Sequence, residues 1–146
     1  MKSKVIFICL TILVFIGMSC SEDKEEGQIR DIGLEKTEIK VTSEGSSFSV
    51  KTKETGWGIS RLLLFVDGKE TAIHNTFYIK DIKGDKVNTY YETMSGEWYE
   101  VTKSTEDEVT VKISANETGK ERKLVITITG IGLVGNLTIV QEKDSK

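Results

Sequence analysis

The sequence predicts an all-β protein built as an antiparallel sandwich, and two observations support this fold class. Apolar and polar residues alternate with a period of two through most of the chain beyond residue 34, which is typical of strands with one buried face. Turn signals separate these runs at intervals of about 8 to 12 residues. The chain has 13 glycines and no proline, so its turns depend on Gly, Asn and Asp.

The first predicted strands cover residues 37–42 and 47–52, separated by a turn at 43–46. The run 61–66 is almost continuously apolar, which predicts a strand buried on both faces. Asp67-Gly68 after it is a hairpin signal. The remaining predicted strands are 71–80, 87–92, 98–101, 108–115, 122–129 and 136–140. About nine short strands in about 110 residues match an immunoglobulin-like sandwich.

Residues 1–19 have the pattern of a cleaved secretory signal peptide. Lys2 and Lys4 form a positive head, and the 14 residues from Val5 to Met18 are apolar apart from Thr11. This stretch is shorter than the roughly 20 residues of a membrane-spanning helix. The segment 17–20 (Gly-Met-Ser-Cys) resembles a bacterial lipoprotein cleavage box, with glycine in place of the usual leucine. We expect Cys20 to be acylated and to anchor the protein to a membrane; the alternative is an ordinary signal peptide with a chance cysteine.

The cysteine and charge content indicate how the folded part is stabilised and which partners it does not bind. Cys9 lies inside the apolar segment, so the folded part has no cysteine and must be held together by burial alone. Removing Lys2 and Lys4 leaves 18 basic residues against 23 acidic ones. An acidic chain argues against nucleic acid as a partner, because phosphates require a basic face.

Residues 20–33 form an acidic linker in which four of the six residues from Ser21 to Glu26 are Asp or Glu. A solvated tether explains this composition. An acidic patch just after the cysteine also resembles the signal that sends Bacteroidetes lipoproteins to the outer face of the outer membrane. We therefore expect an outer membrane lipoprotein that faces the cell exterior, with its sandwich at 34–143 and inserted hairpins around 59–96.

Motifs that would indicate catalysis are weak. Residues 130–135 match G-x-G-x-x-G, but a β-rich run follows where a dinucleotide site needs a helix, and no acidic residue lies about 20 positions further on. His74 is the only histidine, and no G-x-S-x-G elbow is present. The acidic residues at 92, 97, 100 and 106–108 fit solvated turns better than a glycosidase pair. We predict no catalytic residue, no metal site, no cofactor and no enzyme activity.

Four aromatic residues are candidates for stacking on sugar rings: Trp57, Tyr90, Tyr91 and Tyr99. A flat aromatic face with a polar rim suits a pyranose ring. The alternative for each is packing at a half-buried strand position, which aromatic residues also favour. We assign Trp98 to the core.

The last third of the chain resembles the BACON domain family. The resemblance rests on Trp98, the alternating run into Asn116-Glu-Thr-Gly119, Arg122 with its following strand, and a final strand that ends in Gln141. It implies an immunoglobulin-like sandwich of the kind common in Bacteroidetes surface lipoproteins, with structural roles for Asn116 and Arg122. It also implies carbohydrate or mucin binding and carries over no catalytic residue. A structural or adaptor subunit that binds a surface protein is the alternative.

Overall fold

The computed structural model describes residues 28–75, 78–80, 86–88 and 91–144. The predicted signal peptide, Cys20, most of the acidic linker and Tyr90 lie outside the described residues. Within these ranges the protein is all-β, and the chain forms strands without any helix. No helix in this part of the chain is long and apolar enough to cross a membrane.

The strands, in chain order, are β1 (Arg30–Asp31), β2 (Glu38–Val41), β3 (Ser46–Lys51), β4 (Trp57–Val66), β5 (Lys69–Asn75), β6 (Tyr78–Lys80), β7 (Lys86–Asn88), β8 (Thr93–Ser95), β9 (Tyr99–Thr105), β10 (Glu108–Ile113), β11 (Arg122–Gly130) and β12 (Leu133–Gln141).

Two main sheets carry the fold. The larger has the order β1-β12-β11-β4-β5, with β2 also beside β12, and the smaller has the order β3-β10-β9-β8. A separate pair is formed by β6 and β7. The long ladders β4–β11 and β11–β12 are antiparallel, whereas β1 and β2 run parallel to β12. The predicted β-sandwich class is confirmed at this level.

The core lies between the facing sides of the sheets, and the period of two places residues there. Leu124, Ile126 and Ile128 alternate along β11 with half-buried neighbours, and each has 0% of its surface exposed. Leu137 and Ile139 do the same on β12. Because strand side chains point to opposite faces in turn, one face of each strand fills the core.

Strand β4 differs from its prediction. Leu62 and Leu64 are buried, but Leu63 and Phe65 point to the other side of the sheet and are half-buried. The ammonium of Lys123 lies 4.3 Å from the ring centroid of Phe65, so a long side chain from β11 covers part of this apolar surface. The expectation that this strand is buried on both faces was wrong.

Part of the stretch 59–96, around which inserted hairpins are predicted, belongs to the larger sheet, whereas β6 and β7 form a pair of their own. Strand β4 lies between β11 and β5 in the larger sheet, and Ile59 is fully buried. The fold also begins before residue 34, because Arg30–Asp31 already pairs with β12 and Ile32 is 0% exposed.

Two buried amides hold the loops at one end of the sandwich. Asn116 Nδ2 donates to the carbonyls of Lys120 at 2.7 Å and Glu142 at 2.9 Å, and its Oδ1 accepts from the backbone N–H of Thr118 at 3.2 Å. Gln141 Nε2 donates to the carbonyl of Ser114 at 2.8 Å. The structural role expected for Asn116, closing the turn after its strand, is therefore present.

Candidate functional site

A groove of about 630 Å³ opens between the sheets at the end where β11 begins. Its walls come from β4 and β5, from the turn between β8 and β9, and from the loop between β10 and β11. The lining residues are Leu64, Val66, Thr71, His74, Gly96, Glu97, Trp98, Tyr99, Thr118, Lys120 and Arg122.

The turn between β8 and β9 sets the position of the two groove aromatics. The backbone N–H of Gly96 donates to the carbonyl of Tyr99 at 2.9 Å, and that of Ser114 donates to the carbonyl of Trp98 at 2.9 Å. A Cβ on Gly96 would lie 2.5 Å from the ring of Tyr99. Glycine is therefore required where the backbone passes this ring.

Three rings form a connected cluster in the groove. Trp98 and Tyr99 meet edge to face with 5.3 Å between centroids, and His74 contacts Tyr99 in the same manner at 6.4 Å. Tyr99 is only 4% exposed, whereas Trp98 is half-buried and His74 is exposed. Burial raises the pKa of Tyr99 above its ordinary value, because it disfavours the charged phenolate.

Charged groups lie around these rings. The guanidinium carbon of Arg122 lies 5.2 Å from the centroid of Trp98, within cation–π range. Burial lowers the pKa of Arg122, and the carboxylate of Glu97 opposes this effect by favouring the charged form. Lys120 and Glu97 are both exposed on the groove wall. The groove thus combines an aromatic surface with cations and a carboxylate.

The described residues predicted to stack on sugars occupy different environments in the structure. Trp57 is 3% exposed, and its indole N–H donates to Thr52 Oγ1 at 2.9 Å and to the carbonyl of Glu54 at 3.0 Å. Its ring is packed in the core and does not reach the groove. Tyr91 is half-buried and bridges to Ile59 through its backbone. Tyr99 alone of the described candidates lines the groove, and sugar stacking at all four positions stays a prediction.

Sequence reasoning passed over three of the groove residues. Trp98 is predicted in the core, and its half-buried ring does pack against the core while it also lines the groove. His74 is predicted to have a structural or surface role and Arg122 a structural one, and the Nη1 of Arg122 does donate weakly to the carbonyl of Ala115 at 3.4 Å. One usable signal was the Gly96-Glu97-Trp98-Tyr99 sequence at a strand start. Aromatic residues next to a tight turn lie at the end of a sandwich, where grooves form.

An open groove with an aromatic floor and a few polar groups is the usual form of a ligand-binding site, and the fold and the groove are consistent with a β-sandwich binding module. The BACON family, described as "Putative binding domain, N-terminal", matches residues 88–142. The resemblance predicted from the sequence is confirmed over this segment, which contains Glu97, Trp98, Tyr99, Lys120 and Arg122.

A solved structure supports the same fold. The chain is similar to a protein from Bacteroides thetaiotaomicron determined by NMR, with a TM-score of 0.54 and 25% sequence identity. The match covers 78% of this chain and 82% of that one. No curated protein matches the chain.

Proposed function

We propose that this protein is a non-enzymatic binding module whose groove takes a glycan, such as the sugar chains of mucin. The observation that carries the proposal is the half-buried indole of Trp98, beside Arg122 and Glu97 at the groove wall. The indole offers an apolar face to a sugar ring. Guanidinium and carboxylate groups provide the directed hydrogen bonds that fix hydroxyl groups.

The charges in the groove favour a sugar with an anionic substituent. Lys120 and Arg122 face one carboxylate, Glu97, in a chain whose formal net charge is −3. Arg122 is suited to a carboxylate or sulfate because its planar fork donates two parallel hydrogen bonds. We therefore expect uronic, sialic or sulfated sugars to bind better than their neutral analogues.

A glycan array probed with the full mature protein tests this proposal. We expect binding to acidic glycans and a loss of about 5- to 150-fold on Trp98→Ala, if stacking of a sugar ring has the same size as stacking of a base on an aromatic side chain, about 1–3 kcal/mol. Phe65→Ala is the matched control, because it removes a half-buried ring on the outer side of the larger sheet. Equal losses in the two variants, or no glycan bound by the wild type, would exclude the groove as a sugar site.

We also propose that the protein is an outer membrane lipoprotein of immunoglobulin-like fold, acylated at Cys20 and facing the cell exterior. The cleavage-box pattern and the acidic residues at 21–26 support this location. Replacing Cys20 with alanine should release the protein from the membrane fraction. Protease treatment of intact cells should digest it if it faces outward and spare it if it faces the periplasm.

One observation favours an adaptor role as the second candidate. Strand β5 is terminal in the larger sheet, and in the described part of the chain it pairs only with β4. A free strand edge accepts an extended segment of another protein by hydrogen bonding along the backbone. A pull-down with wild type and a Thr71→Pro variant tests this role, because proline disturbs the edge. Partners that both proteins capture equally do not use β5.

A further inference from the structure

Apolar side chains are exposed at the end of the sandwich where the chain enters it. Among the described residues, three large hydrophobic side chains are exposed: Ile29 at 75%, Ile73 at 51% and Ile131 at 97%. Two of these three lie at the same end. A two-residue turn, 131–132, joins β11 to β12. The backbone N–H of Arg30 donates to the carbonyl of Gly132 in this turn at 2.8 Å. Ile29 and Ile131 therefore lie on neighbouring backbones.

This end is opposite to the groove. Arg122 at the groove is the first residue of β11, and Gly130 is its last. Eight steps of about 3.4 Å along β11 separate the two ends by about 27 Å. The isoleucines are thus remote from the proposed glycan site, and glycan binding does not explain them.

The number of residues between Cys20 and Gln28 limits how far this end can be from a membrane. Seven residues lie between the proposed acylation site and the first described residue, which makes eight steps from one Cα to the next. Whatever path the chain takes, eight steps at about 3.5 Å each reach at most about 28 Å. An anchor at Cys20 therefore keeps the start of the described chain, next to Ile29, within about 28 Å of the lipid surface.

We propose that Ile29 and Ile131 form a contact that inserts into the lipid surface beside the acyl anchor. The inference rests on the acylation of Cys20 but not on glycan binding. Large apolar side chains at a loop tip insert at the boundary of headgroups and acyl chains, where they leave water without needing a partner protein. The contact orients the sandwich on the membrane.

The contact is apolar and not electrostatic. Arg30 is the cation nearest to Ile29 in sequence, and it already lies 3.9 Å from the carboxylate of Glu54. The linker before it carries four acidic residues, which disfavour an anionic headgroup layer. We therefore expect contact with zwitterionic lipid and little sensitivity to salt.

Quenching by brominated lipid tests the contact in the full acylated protein. Ile131→Trp and, separately, Ile29→Trp are reconstituted into phosphatidylcholine vesicles that carry bromine near the top of the acyl chains. Ile73→Trp is the control, because Ile73 is exposed on β5 away from this end. The emission of wild type, which contains Trp57 and Trp98, is subtracted.

We expect both end variants to lose at least about half of the added emission, since an inserted residue lies about 5–10 Å deep. The control should lose little. If the variants float with the vesicles but all three are quenched equally, or none is quenched, the lipid contact alone is overturned. Failure of the full chain to float with vesicles overturns the anchor and the contact together, and neither result bears on glycan binding.

Discussion

The guanidinium carbon of Arg122 lies 5.2 Å from the ring centroid of Trp98, and this pair joins the first residue of β11 to the turn before β9. A cation over an indole contributes about 0.5–1 kcal/mol at an exposed site and more when water is excluded. A double-mutant cycle with Arg122→Ala and Trp98→Ala, followed by urea unfolding, should give a coupling of this size. Strictly additive effects would show that the two side chains do not interact in solution.

The groove cations should determine the preference for acidic sugars. We expect Lys120→Ala to weaken binding of an acidic glycan by a few fold and to leave a neutral analogue almost unaffected, because an exposed charge pair is worth about 0.2–1 kcal/mol. The remaining difference between the two glycans should shrink as salt is raised. Lys40→Ala, which removes an exposed lysine from β2, is the control. Isothermal titration at two salt concentrations makes the comparison.

Tyr99 should make the fold sensitive to alkali. Burial raises the pKa of Tyr99 above its ordinary value of 10.0. The unfolded chain therefore loses this proton at lower pH than the folded one, and the free energy of unfolding falls as pH rises through about 10 until the folded phenol also ionises. Tyr99→Phe should reduce the fall in the urea midpoint between about pH 8 and about pH 10.5. An identical fall in wild type and variant would contradict the assignment.

Asn116 should matter more for stability than its polarity suggests. It is 1% exposed and its amide donates to two backbone carbonyls. Asn116→Ala leaves both carbonyls without this donor and should cost about 1–3 kcal/mol in the free energy of unfolding. Asn136→Ala, at an exposed position on β12, should cost at most about 0.5 kcal/mol. Chemical denaturation of the two variants tests the difference.

The strands of the sandwich were predictable where apolar and polar residues alternate, because this pattern marks one buried and one exposed face. Leu124, Ile126 and Ile128 on β11 are all buried as their period of two requires. On β4 all residues at 62–66 are apolar, so the sequence has no two-residue alternation there. Only the position of β4 in the sheet shows that Leu63 and Phe65 face outward. Burial of an apolar residue depends on what other strands place above it, which local sequence does not contain.

The groove was harder to predict because its residues meet only in three dimensions. His74, Trp98 and Arg122 are far apart in sequence: the first and last come from two strands of the larger sheet, and Trp98 comes from the turn before β9. A single aromatic residue has the same local signature whether it packs in the core or lines a cleft. Trp57 and Trp98 show this directly, since the first is 3% exposed in the core and the second is half-buried at the groove.

The parallel pairing of β1 with β12 has a mechanical consequence. The chain enters the sandwich at Arg30, which pairs with Leu133, and β1 then runs alongside β12. If a bound ligand pulls on the groove end while the N-terminus is fixed, the load runs along the strand axis. The bonds from Arg30 to Gly132 at 2.8 Å and from Ile32 to Val134 at 3.0 Å are then strained together, in shear, and not peeled apart one after the other. The parallel pairing of β1 with β12 thus resists tension along the strand axis, because both hydrogen bonds must break together.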